Sequence, residues 1–282
     1  MKFIQATTQE HFKIIQEFIN PYEFSCAGFC AVLRKNSEPV YIISNSSQIN
    51  CLLDVAGVFS FKHSIFHCLP HINLLDEEFQ NQFMDFFKDK KITSIIGERS
   101  GTEFILNLLQ KIGFICQQQV FYKLMILKKS PNPAPEILYN DDEIRRCQID
   151  NLEELHQLQK EYMETEIAPV GRHITDLETK ANLKQILKNQ LCFALYSNDE
   201  AVAKINTNAI GFNWIQIGGV FTHPMYRHNY YAWHLMHLIC TRIQKTKRNP
   251  CLFVKEKNTG AYELYKKIGF EETGKFEICY FS

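Results

Sequence analysis

At 282 residues the chain is longer than one ordinary domain, which sets a prior of about two. Its 31 basic and 31 acidic side chains cancel, so no global field draws it to nucleic acid or to an anionic bilayer. With 22 Phe and 12 Tyr there is apolar material for a core in each half, and neither half needs disulfide staples.

The first half opens on a helix-period segment, Thr8 to Asn20, with Phe12, Ile15, Phe18 and Ile19 on one side and Pro21 closing it. Strands are expected at Ala31 to Arg34, Val40 to Ser44 and Cys51 to Phe59, with turns at Lys35-Asn36 and Asn45-Ser46-Ser47. Ser64 to Leu69 comes next, then an amphipathic helix from Glu77 to Lys88, a strand Ser94 to Ile96, a helix from Thr102 and strands within Val120 to Leu127. The pattern alternates α and β.

Three prolines on alternate positions in Lys128 to Glu136 favour an extended connector, so the halves divide there: residues 1–128, a linker 129–140, and 141–282. The second half begins with a strand near Ile144 to Ile149 and a helix with capping-box logic at Asn151-Leu152-Glu153-Glu154. Its period breaks from Glu164 through Pro169-Val170-Gly171 to His173, and another helix starts at Thr175 with Glu178 three residues on. Strands Leu191 to Tyr196 and Ala201 to Asn208 turn at Asn198-Asp199.

The ten cysteines include no C-x-x-C pair; even the closest two, Cys26 and Cys30, read as buried free thiols. The beginning of the sequence has no apolar core of signal-peptide length, no run approaches a membrane span, and a reducing cytoplasm is the expected compartment. His223, His228, His234 and His237 cluster, but no cysteine or carboxylate completes a zinc spacing, so no metal is expected.

The most informative stretch runs from Ile217 to Phe270. An apolar, β-branched run, Ile215, Ile217, Val220 and Phe221, stops at Pro224, passes a polar turn around Arg227, and becomes a helix-period segment with Trp233, Leu235, Met236, Leu238, Ile239 and Ile243. A helix N-terminus with orphan amides and an adjacent guanidinium favours an anion such as phosphate. A second apolar strand, Leu252 to Val254, leads through Asn258-Thr259-Gly260 into a helix Ala261 to Ile268 closed by Gly269-Phe270. Val220, Thr222, Pro224, Arg227, Ala232, Asn258, Ala261, Tyr265, Gly269 and Phe270 stand at the spacing of the GNAT N-acetyltransferase superfamily, which this stretch resembles. The departure is Tyr230, where that family commonly has glycine; His228 occupies another such position.

The resemblance implies two GNAT-like α/β units, each a mixed, mostly antiparallel sheet with a splayed central strand pair. The first would be degenerate, because Leu108-Leu109-Gln110-Lys111-Ile112-Gly113-Phe114 lines up with Leu264 to Phe270 more than 150 residues on, yet Leu109 replaces Tyr265 and Ser64 to Asn73 offers neither arginine nor glycine. It implies acetyl-CoA as cosubstrate and an amine acceptor. The N–H of Val220 would polarise the thioester carbonyl, Phe221 and Thr222 would line the pantetheine, and Arg227, His228, Asn229, Tyr230, Tyr231 and Ala232 would hold pyrophosphate. Asn258 and Ala261 would contact cofactor or cap the helix. Tyr265 is the candidate general acid. The strand position that serves as a glutamate base in histone-type members is Gln216, which cannot accept a proton, so Glu164 and Glu166 are the carboxylate candidates. The alternative is an acyl-CoA-binding module without turnover, with side chains at 228 and 230 obstructing phosphate.

Overall fold

The computed structural model describes residues 2–44, 46, 48–135, 141–168 and 172–281. Asn45 and Ser47 of the expected turn, the connector from Glu136 to residue 140, and Pro169-Val170-Gly171 lie outside the described residues.

The first half runs β1 (Lys2–Gln5), α1 (Gln9–Ile19), α2 (Ala27–Lys35), β2 (Val40–Ser44), β3 (Val55–Phe61), β4 (Ser64–Cys68), α3 (Glu77–Phe87), β5 (Ser94–Glu98), α4 (Arg99–Lys111) and β6 (Cys116–Ile126). The second runs β7 (Asp142–Arg146), α5 (Leu152–Tyr162), α6 (Asp176–Asn189), β8 (Cys192–Ser197), β9 (Glu200–Ile210), β10 (Trp214–Thr222), α7 (Tyr231–Lys245), β11 (Asn249–Lys255), α8 (Thr259–Ile268) and β12 (Glu271–Phe281).

Local chemistry accounts for most boundaries. Thr8 caps α1 through the His11 amide, and Thr175 and Glu178 form the reciprocal capping box that starts α6. Gly269, at φ 111°, closes α8 in the left-handed conformation that glycine adopts freely.

Three expectations need correction. Ala31 to Arg34 is not a strand but the end of α2, a helix wedged between the two halves: Ala27 meets Ile126, Ala209 and Cys251, while Phe29, Cys30 and Leu33 join the core of the first half. Cys51 to Asp54 forms a 3-10 turn held by the Asp54 carboxylate on the Asn50 and Cys51 amides, so β3 starts only at Val55. No side chain caps α5 at Asn151; its carboxamide instead receives the Gln148 amide in the turn before the helix.

All the strands join one sheet, ordered β1-β2-β3-β4-β5-β12-β6-β11-β10-β9-β8-β7. Each half contributes its own run of five strands and then exchanges one. β6 leaves the first half to pair with β11 of the second, and β12 crosses back to pair with β5. β6 and β12 lie antiparallel at the centre, from Glu271 opposite Ile126 to Phe281 opposite Cys116. A buried carboxylate, Glu23, further ties the halves by accepting from the Asn213 and Trp214 amides, and Arg34 donates to the Ile210 and Gly211 carbonyls.

Each half also contains one parallel strand pair that stops early. β4 and β5 pair only to Phe66 and Ile96; β10 and β11 pair only to Ile217 and Leu252, although all four strands continue.

Candidate active site

The two halves fill the space beyond their parallel pairs differently. After Phe66 comes His67, whose buried ring fills the gap over Gly97 and Gly101, where an added Cβ would collide with it, and bonds the Thr102 hydroxyl at 2.9 Å. Burial holds this imidazole neutral, with its pKa lowered to about 3. After Ile217 come Gly218 and Gly219, and the gap stays open. It forms part of a cleft of about 1440 Å³, above the several hundred Å³ typical of sites for single small ligands and large enough for an extended one.

The cleft runs from the α7 N-terminus, through the gap between β10 and β11, to a broad floor that includes β6 and β12. At the first end, Thr222 leads to a 3-10 turn at Pro224–Tyr226, and Arg227 donates from Nε to the Thr222 carbonyl. His228 and Tyr230 both have left-handed backbones, at φ 68° and 59°. The loop thus keeps a glycine-like course with non-glycine residues, at a cost of about 1–2 kcal/mol each. Among the described residues, the amides of His228, Asn229, Tyr230 and Ala232 find no protein acceptor, the arrangement that receives an anion at a helix start. The Tyr230 ring is 45 % exposed and lies edge-on to Trp233, 6.3 Å away. The Asn229 side chain donates to the Tyr226 carbonyl, while Tyr231 is buried with its hydroxyl 3.2 Å from Asp142.

In the middle, β10 bulges: Gly218 pairs with Asn206 and Phe221 with Lys204, leaving Gly219 and Val220 outside the ladder. Gly219 has φ 59°, and any side chain there would strike Asn206. Phe221 is buried with its ring 6.1 Å from that of Tyr162. On the other side of the gap, Asn258 caps α8 by accepting the Ala261 amide, so capping accounts for its side chain. Tyr265 is 7 % exposed, lines the cleft, and among the described residues its hydroxyl has no hydrogen-bond partner. Burial, reinforced by Tyr162 and Glu166, keeps that phenol protonated well above its ordinary range.

At the far end, α5 continues into a π-turn, Met163–Ile167, that carries both candidate carboxylates. Glu166 lies against Lys255, which donates to the Glu166 carbonyl and stands 3.7 Å from its carboxylate. Its charge also bears on Tyr122, Tyr162 and Tyr265. Glu164 also lines the cleft, with its carboxylate 3.2 Å from His173. His223 accepts the Met225 amide and stands 3.7 Å from Glu161. Gln216 lines the floor, as do Tyr122 of β6 and Tyr280 of β12, so a strand of the first half forms part of this end.

The structure therefore gathers Val220, Phe221, Thr222, Arg227, His228, Tyr230, Tyr231, Ala232, Asn258, Ala261, Tyr265, Glu164 and Glu166 around one cleft, with Asn229 bracing the loop. The sequence reading missed Tyr162, Lys204 and Lys255. The signal for one of them was present: Lys204 is a lone charge inside the apolar run Ala201-Val202-Ala203-Lys204-Ile205. Among the described residues no group of three or more His, Cys, Asp or Glu is placed to hold a metal, and no helix is long and apolar enough to cross a membrane.

Residues 152–270 match the model of the acetyltransferase (GNAT) family. No curated protein matches the chain. Among solved structures, a Drosophila melanogaster protein from a structural genomics programme is similar over 99% of this chain and 98% of its own, at 12% identity and a TM-score of 0.70. A GCN5-related N-acetyltransferase from Sphaerobacter thermophilus is similar over 98% and 94%, at 16% identity and a TM-score of 0.56. An acetyltransferase from the GNAT family of Colwellia psychrerythraea is similar over 100% of both chains, at 8% identity and a TM-score of 0.53. These likenesses extend the fold over both halves.

Proposed function

We propose that this chain, whose residues 152–270 match the acetyltransferase (GNAT) family model, is an acetyl-CoA-dependent N-acetyltransferase acting on a primary amine of a small molecule, peptide or protein. The observation that carries this reading is the open gap beside the β10 bulge, with unpaired amides at one end and a buried, unpartnered Tyr265 hydroxyl inside it.

The amides of residues 228 to 232, with Arg227, would hold the pyrophosphate. The pantetheine would run along the β10 edge beyond Ile217 as an added strand. The amine lone pair attacks the thioester carbonyl carbon, whose oxygen takes its hydrogen bond from the Val220 N–H, and the C–N bond forms. The amine proton passes to a carboxylate, for which Glu166 is better placed than Glu164 because its charge reaches Tyr265 in the gap while Glu164 lies against His173. The C–S bond then breaks, and the thiolate takes the proton of Tyr265. Burial raises phenol and thiol alike, so their affinities for the proton stay close enough for transfer.

The first half, residues 1–128, would be catalytically silent, its own gap filled by His67, and would serve the site by lending β6. The linker 129–140 would join it to the catalytic half, 141–282. Ten free cysteines support a reducing cytoplasm as the compartment.

Release of CoA from acetyl-CoA across a panel of primary amines tests the activity. Tyr265→Phe is expected to cut kcat by about 100-fold or more while calorimetric acetyl-CoA affinity stays within about threefold. Full activity in that variant removes Tyr265 as the acid. Binding without transfer to any amine favours a module that holds acyl-CoA.

A further inference from the structure

Lys204 is the least expected side chain of the catalytic half. It projects from the middle of β9, is 1 % exposed, and has no carboxylate within ion-pair distance among the described residues. An unpaired buried ammonium is costly, and most lysines avoid it by reaching solvent. This one donates to the Gly219 carbonyl at 3.0 Å, and its Nζ stands 4.4 Å above the Tyr162 ring. The Gly219 amide in turn lies toward the Tyr162 hydroxyl and favours its ionised form. The carbonyl of the left-handed bulge residue is thereby fixed from a side chain on β9 that is itself packed under the ring at the end of α5.

Peptide geometry gives this arrangement a direction. The Gly219 carbonyl and the Val220 N–H belong to the same planar unit and point to opposite sides of it. A donor that holds the carbonyl on one side therefore sets where the N–H is aimed on the other. A charged donor also polarises the unit and strengthens that N–H as a donor.

We propose that Lys204 is a positioning residue for acyl transfer, holding the Gly219–Val220 peptide so that the Val220 N–H is presented to the thioester carbonyl. This rests on the transferase reading above and adds to it the group that sets the carbonyl-polarising donor. The groups bearing on the ammonium are the Tyr162 ring on its α5 side, the Gly219 carbonyl on β10, and the thiols of Cys192 at the start of β8 and Cys147 beside it. Burial lowers the Lys204 pKa to about 8. The ammonium is thus present below that pH and is lost as pH rises through it, and transfer should decline over the same interval.

The test compares wild type with Lys204→Met, which fills the same space without charge. With acetyl-CoA and an amine that supports CoA release, the variant should show kcat lower by about 10- to 100-fold, an acetyl-CoA affinity within about threefold, and no decline in kcat centred near pH 8. An unchanged kcat and pH profile overturns the proposal. The carbonyl stretch of bound 13C-labelled acetyl-CoA gives a readout independent of turnover: wild type should shift it to lower frequency, and Lys204→Met should abolish that shift. Equal frequencies in the two proteins overturn the proposal even if no amine acceptor is found. Failure of wild type to bind acetyl-CoA overturns both this inference and the transferase reading. Turnover by wild type with an indifferent Lys204→Met leaves the transferase reading standing alone.

Discussion

At the scale of single residues, the two gaps in the sheet differ in the side chains placed just beyond the last paired position. His67 closes one; Gly218 and Gly219 leave the other open. The closed one has a thermodynamic signature. His67 is buried neutral, so its folded pKa is depressed, to about 3 against 6.5 when unfolded. Its contribution to stability is fully present above pH 6.5 and is lost as pH falls toward 3, because the unfolded chain takes the proton more readily. Between pH 7 and pH 4.5 the wild type is expected to lose about 2 to 3 kcal/mol more than His67→Gln, read from urea unfolding at the two pH values. Parallel pH slopes for the two proteins contradict it. The sequence did expose the missing arginine and glycine of the first copy, but not the plug: a histidine between Phe66 and Cys68 looks like any strand residue until the glycines at 97 and 101 are brought under it.

At the scale of elements, α7 begins on a loop that keeps the shape glycine would give it. Two non-glycine residues hold positive φ, and the Tyr230 ring lies edge-on to Trp233 at the rim of the cleft. Tyr230→Gly is accordingly expected to change the acetyl-CoA dissociation constant by less than about threefold in calorimetry, since the ring is not needed for the amides to face the anion. A tightening beyond about tenfold would mean that the ring obstructs the phosphates. Elements in this part of the chain were legible because their signals are local: turn, cap, apolar period and closing glycine lie within a few residues of each other. α2 was not. Its residues 27 to 33 are buried against both halves, so the polar face that would reveal a helical period is missing, and a short apolar run with Val32 and Leu33 reads equally as a strand.

At the scale of the whole molecule, the exchange of β6 and β12 binds the two halves more closely than a linker would. Neither half owns the strand that completes its sheet next to β5 or β11. Residues 1–128 and 141–282 expressed separately are expected to be unfolded or aggregated by circular dichroism, and the intact chain to melt in one calorimetric transition. Two separate transitions, or a well-folded isolated half, would contradict the interlock. Nothing in the sequence announces this pairing. Each strand is visible by its own pattern, but which edge it joins depends on partners more than a hundred residues away, and both choices bury a similar alternation. The repeat of Leu108 to Phe114 at Leu264 to Phe270 gave the two-fold plan without the crossing.

The crossing also constrains how the protein is born. While the ribosome is still translating, β5 of the nascent chain must wait for residues 271 to 281, some 150 codons after β6 has emerged. At ordinary elongation rates that interval is on the order of ten seconds. Throughout it, the outer edge of β5, with its Ile95 and Ile96, stands unzipped, which makes this chain a natural client for chaperones that shield open strands.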